Sequence, residues 1–275
     1  MTGNDVGTDG RDGLRPVDSA WFRIPPARGE GGRVRLFCLP QAGGGTSGFQ
    51  QWPRVAPGWL EIVPIRLPGR EARFDEPLPT DFASVVRQIA DAIGRLAQDE
   101  AARGRRPVPY ALFGHSMGGW LAYETALCLS QTAARQASRV FISGIDGLDH
   151  AAVRVAETMD PRYIAEVLGT LSGPAAQLVA RPALAEVFAS AVASDLAMLR
   201  TYTPAFRKVN CPLTVLWSPD DPRTDRDGIR NWEKWTEGAF EVLEFSGGHG
   251  FPFESGEAAV AALAARLEPA DGIAV

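Results

Sequence analysis

The sequence predicts a single α/β domain, in which a mostly parallel central sheet carries helices on both faces and one helical insertion. First, short apolar segments alternate with longer segments of helical periodicity along most of the chain. Second, this alternation is interrupted once, at about residues 148–202, where helix follows helix without a strand. Third, 275 residues, of which 45% are hydrophobic, are enough for one large core. We therefore assign residues 19–270 to one domain and residues 1–18 to a disordered tail.

The first half of the chain contains four predicted strands, each a short buried apolar segment that ends in a turn or loop. After the first strand, Thr46 or Ser47 can cap a short helix that runs through Trp52, and we expect Pro53 to stop it. The four strands lie at residues 33–40, 60–65, 110–113 and 139–143.

Two longer helices separate these strands. Asp81 is placed to cap the first, which has six apolar residues on one face. The second covers residues 120–129. The apolar face of the first helix consists of Phe82, Val85, Val86, Ile89, Ile93 and Leu96.

Beyond the insertion the alternation resumes. A strand is predicted at residues 213–217, a helix follows through Trp232 and Trp235, and the last strand covers residues 240–245. A closing helix at residues 257–267 completes the domain. The sheet should therefore have six strands, with the insertion between the fourth and the fifth.

Composition excludes several classes of function. The net charge of −5 offers no basic stripe for a duplex nucleic acid, and no apolar run reaches the roughly 18 residues of a membrane span. Cys38, Cys128 and Cys211 are widely separated and flanked by apolar residues, which is typical of reduced core cysteines. The three histidines form no cluster with them, so we predict no metal ion. We expect a cytoplasmic monomer without a cofactor, and the Gly/Asp-rich N-terminus has no apolar segment typical of a signal peptide.

The strongest motif is a candidate nucleophile elbow around Ser116. The run Gly114-His115-Ser116-Met117-Gly118-Gly119 comes directly after a predicted strand and directly before a predicted helix. In such a turn the serine has a strained backbone and only small neighbours fit beside it. The motif predicts that Ser116 is a catalytic nucleophile.

A serine hydroxyl needs a base to take its proton, and His249 is the best candidate. His115 lies inside the elbow and is expected to pack beneath the turn. His150 lies at the start of the insertion, before any candidate acid. His249 follows the last predicted strand and is flanked by glycines. A histidine in such a loop has no burial or capping role that would explain its presence. The order serine, acid, histidine is also the order of hydrolases with this kind of sheet.

The acid that orients the histidine should lie on the loop after the penultimate strand. That loop contains both Asp220 and Asp221, and either is in range. An aspartate before a proline is also a common turn residue, so turn chemistry is the alternative explanation for each. The two candidates remain open at this point.

The glycine-rich loop after the first strand allows two interpretations. Gly43, Gly45 and Gly48 formally match the dinucleotide pattern G-x-G-x-x-G. Against this, Pro40-Gln41-Ala42 separates the glycines from the strand, the next strand ends at Arg66 rather than at an acid, and no tyrosine is followed by lysine four residues later. In a hydrolase the same loop can supply a backbone N–H that, with the N–H of Met117, binds the oxyanion.

Together these segments resemble the stand-alone type II thioesterases of polyketide and nonribosomal-peptide assembly lines, which have the α/β-hydrolase fold. The resemblance covers residues 20–267, and its most specific segment is the P-G-R-E-x-R run from Pro68 to Arg73. It also includes the opening at residues 37–44, the elbow, Asp221-Pro222-Arg223 and Gly247-Gly248-His249.

The resemblance implies hydrolysis of acyl groups from the phosphopantetheine arm of an acyl or peptidyl carrier protein, which clears misprimed or stalled chains. It implies Ser116, Asp221 and His249 as the catalytic triad, and Ala42 and Met117 as the oxyanion donors. Ser218 at the small position of a small-x-x-Asp turn also selects Asp221. The insertion at residues 148–202 corresponds to the family's lid, and we expect it to be mobile.

The sequence departs from the thioesterase family at two places, and three other functions compete with the thioesterase prediction. Gln41 replaces an aromatic residue or histidine, and Gly250 and Pro252 replace bulky apolar residues; no catalytic group is lost. The competing functions are a small-molecule esterase or acyltransferase of the same fold, a non-catalytic carrier-binding protein and a nucleotide-dependent oxidoreductase. Arg154 and Arg162 are expected to contact the carrier.

Overall fold

The computed structural model describes residues 17–24, 33–132, 136–158 and 182–268. Most of the predicted tail, residues 1–16, lies outside these ranges. The end of that tail is ordered: strand β1 (Val17–Asp18) pairs antiparallel with strand β2 (Arg23–Ile24). The predicted tail is therefore too long by these two residues, because the short chain reversal between the strands allows them to pair.

The central sheet has six strands, all of them parallel. Their order across the sheet is β4-β3-β5-β6-β7-β8, with each neighbouring pair in parallel register. The predicted parallel α/β sheet is confirmed, and each predicted strand is found within a few residues of its expected position. The strands are β3 (Val34–Leu39), β4 (Leu60–Pro64), β5 (Tyr110–His115), β6 (Val140–Ser143), β7 (Leu213–Trp217) and β8 (Phe240–Glu244).

The strand order places a crevice at one edge of this sheet. From β3 the chain moves outward to β4 and then returns to the other side of β3 as β5. The loops that leave the carboxyl ends of β3 and β5 therefore diverge, and such a switch point is where open α/β sheets bind ligands. The predicted oxyanion loop follows β3, and Ser116 follows β5.

Eight α-helices lie in the described part of the chain. Alternate residues of the strands enter two separate cores, one shared with α2 and α3 and the other with α1 and α8, so both faces of the sheet are covered as predicted. The helices are α1 (Trp52–Val55), α2 (Phe82–Ala102), α3 (Met117–Ser130), α4 (Ala151–Glu157), α5 (Pro182–Leu199), α6 (Arg226–Arg230), α7 (Phe251–Glu254) and α8 (Gly256–Ala264).

Helix α2 shows why the amphipathic prediction succeeds. The carboxylate of Asp81 accepts a hydrogen bond from the backbone N–H of Ser84 at 2.6 Å, which caps the helix as expected. The whole predicted apolar face of α2 is buried.

The prediction for the segment around Pro53 is wrong. Residues Thr46–Phe49 form a 3₁₀ turn that begins after Gly45, and Pro53 lies in the first turn of α1 instead of ending a helix. Proline is tolerated there because the first backbone N–H groups of a helix have no intrahelical partner. Helix α3 also begins three residues earlier than predicted, because the elbow glycines at 118 and 119 already belong to it.

The described parts of the insertion are helical, as predicted. A 3₁₀ turn at Leu148–His150 leads into α4, and α5 returns the chain to the sheet. The end of α5 belongs to the main core, with Val192, Leu196 and Met198 almost fully buried. Residues 159–181 lie outside the described ranges, so lid mobility remains a prediction.

Candidate active site

Ser116 occupies a sharp turn between β5 and α3. Its backbone has φ 54° and ψ −126°, a left-handed conformation that costs free energy for a residue with a side chain. Its surroundings require glycine: a Cβ on Gly114 would lie 1.8 Å from the carbonyl oxygen of Gly118. The structure thus contains the strained strand-to-helix turn that the elbow motif predicts.

His249 and Asp221 form a buried pair at the same edge of the sheet. His249 Nδ1 lies 2.9 Å from Asp221 Oδ2, and only 5% of His249 and 2% of Asp221 are exposed. With Nδ1 donating its hydrogen to the carboxylate, Nε2 carries the lone pair. Nε2 is buried and has no hydrogen-bond partner among the described residues, and Ser116 lines the same cavity as His249. The pair therefore presents a basic nitrogen to the site.

The structure separates the two candidate acids. Asp221 contacts His249, whereas Asp220 is exposed and accepts a hydrogen bond from the backbone N–H of Gly247 at 3.3 Å. The hydroxyl of Ser218 donates to the carbonyl of Gly247 and ties the acid loop to the histidine loop. The small residue of this turn thus fixes the distance between the loops, and Asp221 is the residue that reaches His249.

His115 packs beneath the turn, as expected, but it also contacts the candidate base. Its Nδ1 lies 3.0 Å from Ser143 Oγ, and its ring centroid lies 4.7 Å from that of His249. Burial lowers the pKa of His115 well below its ordinary value, and the neighbouring His249 and Arg223 lower it further. His115 is therefore neutral and adds no second positive charge beside His249.

Ala42 and Met117 both line the cavity that contains Ser116. Gly118 sits so close to the end of β3 that a Cβ there would lie 2.2 Å from the carbonyl oxygen of Leu39. This contact joins the start of α3 to the loop at residues 41–45, hereafter the oxyanion loop. The two backbone N–H groups predicted to bind an oxyanion thus belong to segments in direct contact.

The P-G-R-E-x-R segment is hydrogen-bonded to the residues that directly follow the oxyanion loop. Glu71 accepts hydrogen bonds from Thr46 N, Thr46 Oγ1 and Ser47 N at 2.8, 2.7 and 3.0 Å. Burial alone would raise the pKa of Glu71, but these hydrogen bonds outweigh it and lower the pKa, so the carboxylate stays ionised.

Arg70, one residue earlier, makes a bidentate ion pair with Asp195 of α5 at 2.6 and 2.7 Å. Sequence reasoning missed Asp195. The available signal was a lone acid at the apolar end of α5, four residues before Leu199.

The cavity beside Ser116 measures about 450 Å³, including its opening to solvent. Its wall is mixed: Trp120, Leu196 and Leu199 are apolar, while Arg154 and Arg223 are cationic. Arg154 Nε donates to Asp146 Oδ2 at 2.7 Å while its side chain lines the cavity, and its predicted contact with a carrier stays a prediction. Arg162 lies outside the described ranges.

The structure also bears on the dinucleotide-binding pattern, on metal sites and on membrane-spanning helices. The N–H groups of Gly43, Thr46 and Ser47 already donate to Asp195 and Glu71, so the glycine-rich loop is not available as a pyrophosphate cradle. Within the described ranges, no group of three or more His, Cys, Asp or Glu side chains is arranged to hold a metal ion. No helix in those ranges has the length and apolar character needed to cross a bilayer.

Comparisons with known proteins agree with this geometry. The family model described as "Thioesterase domain" matches residues 34–268. A probable cadicidin biosynthesis thioesterase of Streptomyces griseus is 34% identical over 252 residues, which cover 90% of this chain and 66% of that protein.

Solved structures are also similar. The thioesterase RedJ from the prodiginine pathway of Streptomyces coelicolor is 26% identical with a TM-score of 0.71, and the match covers 97% of each chain. The type II thioesterase BorB from the borrelidin biosynthetic cluster is 25% identical with a TM-score of 0.68, covering 91% of this chain and 97% of that one.

Proposed function

Because the chain belongs to the thioesterase family, we propose that it is an editing thioesterase of polyketide or nonribosomal-peptide biosynthesis. It hydrolyses acyl thioesters on the phosphopantetheine arm of carrier proteins, with Ser116, His249 and Asp221 as its triad. The single observation that carries the proposal is the buried His249–Asp221 pair, which opens onto the same cavity as the strained Ser116. The cadicidin, prodiginine and borrelidin biosynthetic pathways of the three relatives support the pathway class.

In the first half of the reaction, Ser116 Oγ attacks the carbonyl carbon of the thioester. His249 Nε2 takes the hydroxyl proton, and Asp221 stabilises the imidazolium through Nδ1 without taking a proton itself. The thioester oxygen becomes an oxyanion that accepts hydrogen bonds from the N–H groups of Ala42 and Met117. When the carbon–sulfur bond breaks, the thiol leaves with the proton from Nε2, and the acyl group remains as an ester on Ser116.

In the second half, water replaces the thiol. His249 Nε2 takes a proton from the water as its oxygen attacks the ester carbon, and the same two N–H groups bind the oxyanion again. Breaking the ester bond returns the proton to Ser116 Oγ and releases the carboxylic acid. One thioester and one water thus give one acid and one thiol.

The neutral state of His115 assists this cycle. Its ring faces His249, where positive charge develops in both halves of the reaction. A protonated His115 would repel that charge, and burial prevents its protonation.

Recognition of the carrier is tested by comparing three substrates that have the same acyl group. These are the thioester on a phosphopantetheinylated carrier protein, the N-acetylcysteamine thioester and an oxygen ester. The chemistry at Ser116 is the same for both thioesters, so any gain in kcat/KM on the carrier comes from binding remote from the carbonyl. We expect the carrier thioester to be the best substrate. Ser116→Ala is the matched inactive control. Equal kcat/KM on the carrier and on N-acetylcysteamine would contradict carrier recognition and favour a small-molecule esterase.

A further inference from the structure

We propose that Arg70 and Asp195 form a buried latch that orients the Ala42 N–H group for oxyanion binding. This inference rests on the proposed thioesterase mechanism and adds two positioning residues to it, neither of which touches the reacting atoms. One belongs to the P-G-R-E-x-R segment after β4, and the other belongs to α5 at the end of the insertion.

The latch is a closed set of charge-assisted hydrogen bonds. Both terminal guanidinium nitrogens of Arg70 donate to Asp195, Nη1 to Oδ2 at 2.6 Å and Nη2 to Oδ1 at 2.7 Å. Asp195 Oδ2 also accepts the backbone N–H of Gly43 at 2.7 Å, and Arg70 Nη1 also donates to the carbonyl of Gly44 at 3.1 Å. Asp195 is fully buried and Arg70 is 7% exposed, so water does not compete for these bonds.

These bonds determine how the peptide that carries the Ala42 N–H is oriented. That planar peptide also contains the carbonyl of Gln41, which accepts the N–H of Gly44 at 2.9 Å. Gly44 is held on its other side by Arg70, and Gly43 is held by Asp195. A rotation of the Ala42 N–H away from the site would therefore break the Gln41–Gly44 turn, whose two glycines the latch holds in place.

The backbone at Gly43 shows how closely the loop packs against α5. Gly43 has φ 72°, and a Cβ there would lie 2.3 Å from Val192 Cγ2 of α5. Helix α5 is therefore in direct contact with the loop. The packing of Val192 against Gly43 sets the position of α5 beside the loop. The directional hydrogen bonds of Asp195 then set the orientation of the loop peptides.

If the Arg70–Asp195 pair only stabilised the fold, its loss would affect the enzyme differently from the loss of a latch. Loss of one partner of a buried ion pair destabilises a protein wherever the pair lies. Only a pair that orients the oxyanion donor should also lower kcat without a matching change in KM, because that donor acts chiefly in the transition state. The experiment must therefore compare the latch with an equally buried pair elsewhere.

The sheet provides that matched pair. At the amino end of β3, Arg35 Nε donates to Glu61 Oε2 at 2.7 Å, and both side chains are nearly buried. A six-residue strand separates this pair from the oxyanion loop, roughly 20 Å along the chain. Glu61→Gln thus removes one carboxylate from a buried arginine far from the site. Arg35 keeps Glu100 as a second partner at 2.7 Å, so the stability lost in Glu61→Gln is a lower bound for that expected in Asp195→Asn.

The test measures kcat, KM and thermal unfolding of the parent, Asp195→Asn and Glu61→Gln with an acyl-N-acetylcysteamine thioester. We expect both variants to lose stability, but only Asp195→Asn to lose about 10- to 100-fold in kcat with little change in KM. The affinity of an acyl trifluoromethyl ketone, which places an oxyanion in the hole, should fall by the same factor. The pH at which activity is half-maximal should stay that of the parent, because His249 and Asp221 are untouched.

Arg70→Lys is the second variant, used if Asp195→Asn does not fold. It keeps the charge but cannot form the bidentate pair and also reach Gly44, so the same loss of kcat is expected. Parental kcat in a folded variant of either residue, with stability lost as in Glu61→Gln, would overturn the latch. A parent protein that hydrolyses no thioester would instead overturn the proposed function.

Discussion

The contact between the elbow and the end of β3 can be tested with a single methyl group. In Gly118→Ala the new Cβ would lie 2.2 Å from the carbonyl oxygen of Leu39 and 2.6 Å from that of Pro40, whereas ordinary contact begins at 3.4 Å. Both neighbours are backbone atoms, so no flexible side chain can move aside. Helix α3 and the end of β3 must separate by roughly 1 Å, a displacement large enough to cost about 100-fold in rate.

We therefore expect a selective loss of kcat in Gly118→Ala. The displaced segments carry Ser116, Met117 and Ala42, so the proposed nucleophile and both proposed oxyanion donors lose their alignment together. Stability should fall by about 1–3 kcal/mol, as is usual for an overpacked core. The assay is release of free thiol from an acyl-N-acetylcysteamine thioester, measured well below the unfolding midpoint so that only folded enzyme is compared.

Gly94→Ala is the matched control. Gly94 lies within α2, and a Cβ there would meet no atom within 4 Å. Alanine should stabilise the helix by about 0.5–1 kcal/mol and leave kcat unchanged. A folded Gly118→Ala enzyme with the kcat of the parent would refute the assigned contact between elbow and oxyanion loop.

Four further predictions follow from the site and the insertion. Ser116→Ala should abolish labelling by a fluorophosphonate and lower kcat by on the order of 10⁴-fold or more with the fold intact; residual turnover of a few percent would rule out Ser116 as nucleophile. Asp221→Asn should lose about 10⁴-fold in kcat and Asp220→Asn little, and the opposite ranking would move the acid by one residue. The pKa of buried His115 is lowered, so in acid the unfolded chain binds a proton that the native protein does not. Below about pH 6.5 this difference should reduce the unfolding free energy by about 1.4 kcal/mol per pH unit. The His115→Gln variant should lack this contribution. Hydrogen exchange in residues 148–202 should be faster than in the sheet and should slow when a non-hydrolysable acyl analogue binds, whereas sheet-like exchange without a ligand response would indicate a rigid subdomain.

Local sequence patterns were sufficient to predict most of the framework. Each strand of the central sheet is a short apolar segment with a clear boundary, and the elbow combines three glycines with a strand before it and a helix after it. The strands and the elbow depend on neighbours in the chain, so the sequence contains the information needed to predict them. The pairing of His249 with Asp221, 28 residues apart, followed instead from chain order, from the small residue at 218 and from the resemblance to the thioesterases.

The features that were missed depend on contacts between distant segments. Asp195 lies 125 residues from Arg70, and no periodicity relates them. Arg154 was predicted as a carrier contact, and its ion pair with the buried Asp146, in the loop after β6, was not foreseen. The error at Pro53, by contrast, is local: a proline can stop one helix or lie in the first turn of the next, and which applies depends on where the preceding turn ends.

The hydrogen bonds that anchor α5 determine where a segment of this enzyme can be exchanged for the corresponding segment of a relative. Through Asp195 the helix is bonded to Arg70 and to the oxyanion loop, so it is part of the constant region although it lies within the insertion. A chimera that imports another acyl-binding segment should join it between α4 and α5 and retain α5 itself. A one-residue slip at that junction, if carried into the helix, would rotate Asp195 by about 100° away from Arg70. The boundary of the exchangeable module is therefore set by a hydrogen bond and not by the end of the insertion.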